Sequence, residues 1–123
     1  WDCRTKYVYN LIRGLSPYPA AFTELVKDGK TIQMKIYAGT KVTGNDYENM
    51  LRENGRENVL PGTILSDGKT YLAITTRDGA ISVTDLQISG KKRLPVKDFL
   101  IGFREPETYG TTKGTSVKVT GRA

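Results

Sequence analysis

Three adjacent cations, Lys91, Lys92 and Arg93, lie in a short connector between two segments with structural signals, Leu86–Gly90 and Pro95–Ile101. The first segment is a β-type run that ends at a glycine, and the second is an apolar-periodic stretch that opens with a proline. A run of charges on a loose tail is usually only solvated, whereas these charges are held between two elements. Clustered basic side chains in fixed positions are suited to binding polyanions.

The composition excludes several kinds of chemistry. The 123 residues include 19 Lys and Arg against 13 Asp and Glu, a net charge of +6, which favours an anionic partner. The chain has no histidine, so it cannot hold a Ser-His-Asp or Cys-His catalytic site or a histidine-bound metal. Cys3 is the single cysteine, and neither a GxxxxGK[ST] nor a GxGxxG phosphate-binding loop occurs. We therefore expect no catalytic residue and no metal site here.

No apolar run approaches the roughly 20 residues that cross a membrane, so no membrane partner is expected. A lone cysteine is compatible with the cytoplasm, which is the location we expect.

Apolar residues at helical spacing predict a helix over Thr5–Leu15, with the side chain of Asp2 or Thr5 as its cap. A second short helix is predicted over Pro95–Ile101, with Pro95 at its first position. The region between them has the signals of a β structure. The predicted strands are Ala20–Val26, Thr31–Ala38, Thr63–Leu65, Thr70–Thr76 and Ala80–Ile88.

Asp-Gly pairs, which suit the positive φ angles of type I′ turns, separate these strands into hairpins. They are Asp28-Gly29, Asp67-Gly68 and Asp78-Gly79. Along the last strand the apolar residues change phase, which predicts a β-bulge near Thr84-Asp85.

Two stretches are less regular. Residues Gly39–Val59 are expected to form a long excursion with one or two helical turns around Tyr47, Met50 and Leu51. The polar tail 105–123 contains a strand-like piece, Ser116–Thr120, which either lacks fixed structure or adds a strand to a sheet or to a neighbouring chain.

Five antiparallel strands, one phase break and a short helix at each end predict a mainly β fold. The favoured architecture is a small antiparallel Greek-key barrel of the OB-fold type. A β-sandwich is the alternative, and the small number of strands makes it the less favoured one.

Four sequence motifs occur in an order and spacing that closely resemble one family. They are IRGLSPYPAA (Ile12–Ala21), PGTIL (Pro61–Leu65), the turn RDGA (Arg77–Ala80) and LQISGKKRLPVKDFLIG (Leu86–Gly102). Together they resemble the C-terminal domain of the methionyl-tRNA formyltransferases, over about Tyr7–Phe103. Tyr18 stands where that family often has tryptophan, and the Gly39–Val59 stretch and the tail are longer than the family pattern.

The resemblance implies an OB-type domain over residues 1–104, followed by the tail 105–123, in a fragment of a two-domain bacterial enzyme. Such an enzyme moves a formyl group from 10-formyltetrahydrofolate to the methionine of initiator methionyl-tRNA. The resemblance implies that an N-terminal Rossmann-like domain, absent from this chain, carries the folate site and the chemistry. This chain alone is then expected to be inactive and to bind no cofactor, with the initiator tRNA and its own catalytic domain as partners.

The resemblance implies a basic surface that contacts the tRNA, and the residues suggest where it lies. Lys91, Lys92 and Arg93 are the first candidates for phosphate contacts, and Arg13 is the next. Three such contacts predict a slope of roughly −2 to −3 when the logarithm of the binding constant is plotted against the logarithm of the salt concentration. The residues that would extend the surface are Lys6, Lys35 and Lys97.

Two alternatives remain open from the sequence. The chain is also compatible with the accessory barrel of another formyltransferase, of the nucleotide-sugar or folate dehydrogenase type. It is compatible too with a stand-alone OB-type module that binds nucleic acid or docks a protein. The outward Tyr37 and Tyr71 suit either base stacking or cross-strand packing.

Overall fold

The computed structural model describes residues 1–16, 20–103, 106 and 109–111, together with the backbone of 118–119. The Pro-Tyr-Pro segment 17–19 and most of the predicted tail lie outside the described residues. The elements are α1 (Thr5–Leu15), β1 (Ala21–Lys27), β2 (Lys30–Val42), α2 (Gly44–Glu53), β3 (Ile64–Ser66), β4 (Leu72–Thr75), β5 (Ala80–Ile88), β6 (Leu94–Pro95), α3 (Val96–Gly102), β7 (Gly110–Thr111) and β8 (Lys118–Val119).

The strands form one antiparallel sheet in the order β3-β4-β5-β2-β1-β7, with β6 paired to β5 and β8 paired to β1. Its two ends meet, because a β-bridge joins Thr63, next to β3, to Gly110 in β7. The Thr111 hydroxyl also donates a hydrogen bond of 2.9 Å to the carbonyl oxygen of Gly62. The sheet is therefore a nearly closed barrel, and the predicted mainly β, OB-like fold is confirmed.

Strand β2 is the longest and pairs with β1 along its first half and with β5 along its second. The β2–β5 register shifts twice, because Ile36 pairs with Leu86, Ala38 with Asp85 and Gly39 with Val83. Tyr37 is thus an extra residue on β2, and Thr84 is an extra residue on β5. The bulge predicted near Thr84-Asp85 is confirmed.

The double shift explains how the two phases of β5 share one core. Ile81 and Val83 precede the bulge and Leu86 follows it, and all three side chains are buried. In a strand without a bulge, one set would point to solvent, because neighbouring residues alternate between the faces of a sheet. Burial of each large aliphatic side chain stabilises the fold by about 1.5–3 kcal/mol, so this correction matters to stability.

The predicted excursion over 39–59 is wrong in its first four residues and in the length of its helix. Gly39–Val42 continues β2, and α2 then spans ten residues, which is more than the expected one or two turns. The bulge allows β2 to go on pairing with β5 beyond Ala38. The helical spacing of the apolar residues was correct, since Leu51 is buried and Tyr47 and Met50 pack around a smaller second core cluster.

Only one Asp-Gly pair forms the expected turn, since only Asp28 (φ +53°) and Gly29 (φ +79°) both have positive φ. At Asp67 the carboxylate organises a longer loop. It accepts backbone hydrogen bonds of 2.7–3.2 Å from Lys69, Thr70 and Tyr71. Partial burial acts to raise the pKa of Asp67, but the hydrogen bonds outweigh it and hold that pKa below its usual range.

The third pair, Asp78-Gly79, connects the hairpin β4–β5 to α1. The Asp78 carboxylate accepts hydrogen bonds from the backbone N–H of Thr5 at 2.8 Å and from its hydroxyl at 2.7 Å. Gly79 allows this close approach, because a Cβ there would lie 2.8 Å from Oγ1 of Thr5 and 2.4 Å from the carbonyl oxygen of Val42. These contacts satisfy the first free N–H of the helix from a distant part of the chain.

The predicted caps of α1 are therefore wrong. Arg4 holds the N-cap position and makes no side-chain cap, and Thr5 is already the first helical residue. Asp2 accepts a hydrogen bond of 3.1 Å from Arg77 instead. The capping charge comes from Asp78, whose pKa the hydrogen bonds from Thr5 lower.

We predict that Asp78→Ala lowers the free energy of unfolding by about 1 kcal/mol at neutral pH, as the loss of a helix cap does. The folded-state pKa is depressed, so this stabilisation is complete above the ordinary carboxyl pKa of about 3.9 and disappears as the pH falls below it. Urea unfolding of both proteins from neutral to acidic pH measures the difference.

Asp46→Ala is the matched control, since it removes an exposed carboxylate from the first turn of α2. The difference in free energy of unfolding between Asp78→Ala and the parent chain should shrink in acid. A difference that stayed constant at pH values well below the pKa of a free carboxyl group would contradict the capping role of Asp78.

Candidate nucleic-acid interface

The three predicted cations lie in the segment Ser89–Arg93, called here the basic turn, which joins β5 to β6. Gly90 has a φ of +81°, a conformation that glycine adopts without strain and that reverses the chain. The backbone N–H of Ser89 donates to the carbonyl oxygen of Gln33 at 3.0 Å, and that of Lys91 donates to Ile88 at 2.9 Å. The turn is thus fixed to both β2 and β5.

Two outward side chains of the sheet hold the same turn from outside. The Gln87 amide donates a hydrogen bond of 2.7 Å to the carbonyl oxygen of Lys91. The Tyr37 hydroxyl donates in turn to the Gln87 amide oxygen at 2.6 Å. Tyr37, which the sequence left open between base stacking and packing, therefore supports the backbone of the basic turn.

Arg93 differs from the two lysines because its charge is already paired. Its Nε and Nη2 atoms donate to Oδ2 of Asp85 at 2.8 and 2.6 Å, and its guanidinium carbon lies 4.2 Å from the centre of the Tyr37 ring. The hydrogen bonds to Asp85 raise the pKa of Arg93 above its ordinary value. Arg93 thus fixes the end of the turn, and Asp85 offsets much of its positive charge.

Lys91 and Lys92 keep their charges available. Both side chains are exposed, and within the part of the chain that the structure describes neither forms an ion pair. Hydrogen bonds hold the Lys91 backbone at both its N–H and its carbonyl oxygen, and the side chains of Lys91 and Lys92 are exposed. Such a pair binds an anion without first breaking an internal contact.

Arg13 lies in a different group. Its guanidinium carbon is 5.5 Å from the centre of the Tyr9 ring, and Nζ of Lys41 is 5.1 Å from the same ring. Lys35 pairs opposite Gln87, next to the basic turn. Lys41 lies six positions further along β2, a distance of about 20 Å at the rise per residue of a strand. The structure therefore places Arg13 with Lys41, well away from the basic turn.

Lys41 lies in the stretch 39–59, for which the sequence predicts an irregular excursion. Alternation along β2 does not reveal its position, because the extra residue Tyr37 changes the phase of the strand and Lys41 pairs opposite the buried Ile81. The continued pairing of β2 with β5 brings it under the helix that carries Arg13.

The three residues predicted to extend the basic surface are placed differently. Lys35 is half-buried and pairs directly opposite Gln87, which puts it beside the basic turn. Lys6 on α1 and Lys97 on α3 are exposed. Within the described ranges, neither of these two has a hydrogen bond or ion pair to the basic turn.

A groove of about 360 Å³ lies beside the basic turn, between the ends of β2 and β5, β6 and α3. Its surface is mainly apolar, and Phe99 stacks on Phe103 there with ring centres 4.7 Å apart. We call it the apolar groove; it is lined by Ile32, Leu86, Ile88, Lys91, Lys92, Leu94, Asp98, Phe99, Gly102 and Phe103.

Over the described ranges, no group of three or more Cys, Asp and Glu side chains is arranged to hold a metal ion. In the same part of the chain, no helix has the length and apolar character to cross a membrane.

Comparison with known proteins assigns the chain to a family. Residues 1–104 match the family model described as formyl transferase, C-terminal domain. The chain belongs to this family. The matched residues include α1 to α3, with both the basic turn and the apolar groove, so the resemblance inferred from the motifs is confirmed.

Curated relatives of this formyl transferase C-terminal domain are named methionyl-tRNA formyltransferase. The protein from Bacteroides thetaiotaomicron is 43% identical over 111 residues, which cover 89% of this chain and 31% of the relative. The one from Phocaeicola vulgatus is 45% identical over 105 residues, which cover 85% and 29%. That of Geobacter sulfurreducens is 36% identical over 109 residues, which cover 88% and 29%. The chain thus spans about a third or less of the length of these relatives.

We predict that Gln87→Ala loosens the basic turn without unfolding the domain. The variant loses the hydrogen bond to the Lys91 carbonyl oxygen, so the turn opens more often and exposes the Lys91 N–H. Hydrogen exchange at that N–H should become about threefold to tenfold faster, which corresponds to the net free energy of one hydrogen bond. Exchange followed by NMR measures this. Gln33→Ala on the neighbouring strand is the control, and equal acceleration of exchange in both variants would refute the anchoring role of Gln87.

Proposed function

We propose that this chain is the RNA-binding C-terminal domain of a methionyl-tRNA formyltransferase. It binds initiator methionyl-tRNA and orients it for formyl transfer from 10-formyltetrahydrofolate on a catalytic domain elsewhere in the parent protein. One observation carries the proposal: a chain whose relatives are named for methionyl-tRNA presents two exposed lysines, without an ion pair among the described residues, on a turn held by several hydrogen bonds.

The physics of phosphate binding suits such a turn. Lysine ammonium groups bind phosphates through charge and release condensed counterions, without reading the bases. Because the backbone of the basic turn is already held at Ser89 and Lys91, binding orders mainly the lysine side chains. The cost in conformational entropy is correspondingly smaller.

The two separate basic groups favour a large polyanion over a small one. Lys91 and Lys92 lie at one end of the β2–β5 pair, and Arg13 and Lys41 lie around Tyr9 towards the other. A folded RNA presents phosphates over a distance of about 20 Å, which a nucleotide sugar does not span. This separation supports tRNA over a small anionic substrate.

The chemistry itself is assigned to the rest of the parent protein. The chain has no histidine, and it spans about a third or less of the relatives' length. The folate donor serves the catalytic domain, and this chain contributes position alone. The isolated chain is accordingly expected to bind tRNA weakly and to transfer no formyl group.

We predict that replacing Lys91 and Lys92 together with Ala weakens tRNA binding at low salt. The slope of the logarithm of the binding constant against the logarithm of the salt concentration should become less steep by roughly 1.4 to 1.8, the value for two phosphate contacts. Arg93 is excluded from this count because Asp85 pairs with it. Filter binding of tRNA at several salt concentrations measures both quantities.

The double variant Arg52→Ala with Arg56→Ala is the matched control. It removes the same charge from exposed positions on and just after α2, which packs on the second core cluster. Equal losses in the two double variants would mean that only net charge matters. An unchanged salt slope in the lysine variant would exclude the basic turn from the interface.

A further inference from the structure

The apolar groove has two properties that a phosphate-binding turn does not need. Its floor is made of buried or half-buried apolar side chains, among them Leu86, Ile88 and Leu94, and the stacked Phe99 and Phe103 form one wall. Its volume of about 360 Å³ lies within the range of pockets that hold small organic groups. Contact with phosphates alone would leave this surface open to water.

The charges at the groove restrict what occupies it. Lys91 and Lys92 belong to the lining, and both side chains are exposed. An occupant therefore combines a flat apolar group with negative charge next to it. One nucleotide of RNA has this combination, because its base stacks on aromatic rings and its phosphates lie on either side.

We propose that the apolar groove receives one unpaired base of the bound RNA, while Lys91 and Lys92 bind the phosphates that flank it. This inference rests on the proposed function, since it assigns a second task to the same RNA interface. The domain then distinguishes an RNA with an accessible unpaired base from a fully paired duplex.

Asp98 refines the choice of base. It lies at the groove from the first turn of α3, where a carboxylate also suits the helix dipole. Carboxylate oxygens accept hydrogen bonds from exocyclic amino groups, as they do from cytosine. The groove should therefore prefer adenine, cytosine or guanine over uracil, which has no such group.

Gly102 offers a way to block the groove without touching its charges. Among the described residues, no atom lies within 4 Å of a Cβ at this position, so a larger side chain can be added without displacing any of them. Gly102→Trp and Gly102→Leu both fill space at the groove. Ile101→Trp is the matched control, because Ile101 is the preceding residue of α3, is 80% exposed and does not line the groove.

The experiment compares three hairpin RNAs that differ only in a short unpaired extension, made of adenosines, of uridines or of abasic nucleotides. All three carry the same number of phosphates. The chain is expected to bind the adenosine RNA about tenfold more tightly than the abasic RNA, as one stacked base allows. Both Gly102 variants should lose this ratio and keep their affinity for the abasic RNA, whereas Ile101→Trp should keep both.

The outcomes separate the two proposals. Absence of binding to every RNA would overturn the proposed function itself. Equal affinity of the unaltered chain for adenosine and abasic RNA would overturn the base site while RNA binding stands, and so would a ratio that survives in both Gly102 variants. Equal affinity for adenosine and uridine would overturn the role of Asp98.

Discussion

The pairing of β2 with β5 positions both the core residues of the barrel and the basic turn. Strand β2 also pairs with β1, so it connects the two halves of the barrel. The basic turn is attached at one end of the β2–β5 pair through Gln33, and α1 rests near the other end, where Gly79 approaches Val42. A shift of the register by one residue would exchange buried and exposed side chains along both strands.

The extra residues in this pair set the geometry of the interface as well as that of the core. Tyr37 is the bulged residue of β2, and its hydroxyl reaches Gln87 while its ring lies under Arg93. Asp85 follows the bulged Thr84 and accepts both hydrogen bonds from Arg93. The irregularity that allows β5 to bury both of its apolar phases therefore also holds the basic turn.

Local signals in the sequence predicted the local parts of the fold. The bounds of α1 and β5, the hairpin at Asp28-Gly29 and the bulge near Thr84 all follow from patterns within a few residues. The cap of α1 could not be predicted in this way, because Asp78 lies 73 residues from Thr5. The end of β2, Gly39–Val42, was missed because its pairing with β5 continues only through the register shifts around Ala38.

The predicted basic cluster shows the same difference between what neighbouring residues indicate and what contacts between distant residues decide. From the sequence, Lys91, Lys92 and Arg93 are equal candidates for phosphate contacts. The structure separates Arg93 from the two lysines, because its side chain contacts Asp85 and Tyr37. The planar guanidinium of Arg93 fits a carboxylate and an aromatic ring together, which an ammonium group does not do. A count of adjacent charges therefore overstates the charge free for a partner whenever a carboxylate lies on the neighbouring strand, as Asp85 does here.

The contact between Thr5 and Asp78 also determines when the first turn of α1 gains its native cap during synthesis. A ribosome adds about 5–20 residues per second, so Asp78 follows Thr5 by roughly 4–15 s. During that interval the first turn of α1 lacks its native partner, and the β4–β5 hairpin that supplies it is still incomplete. The cap of α1 is therefore completed late, after the middle of the sequence has emerged.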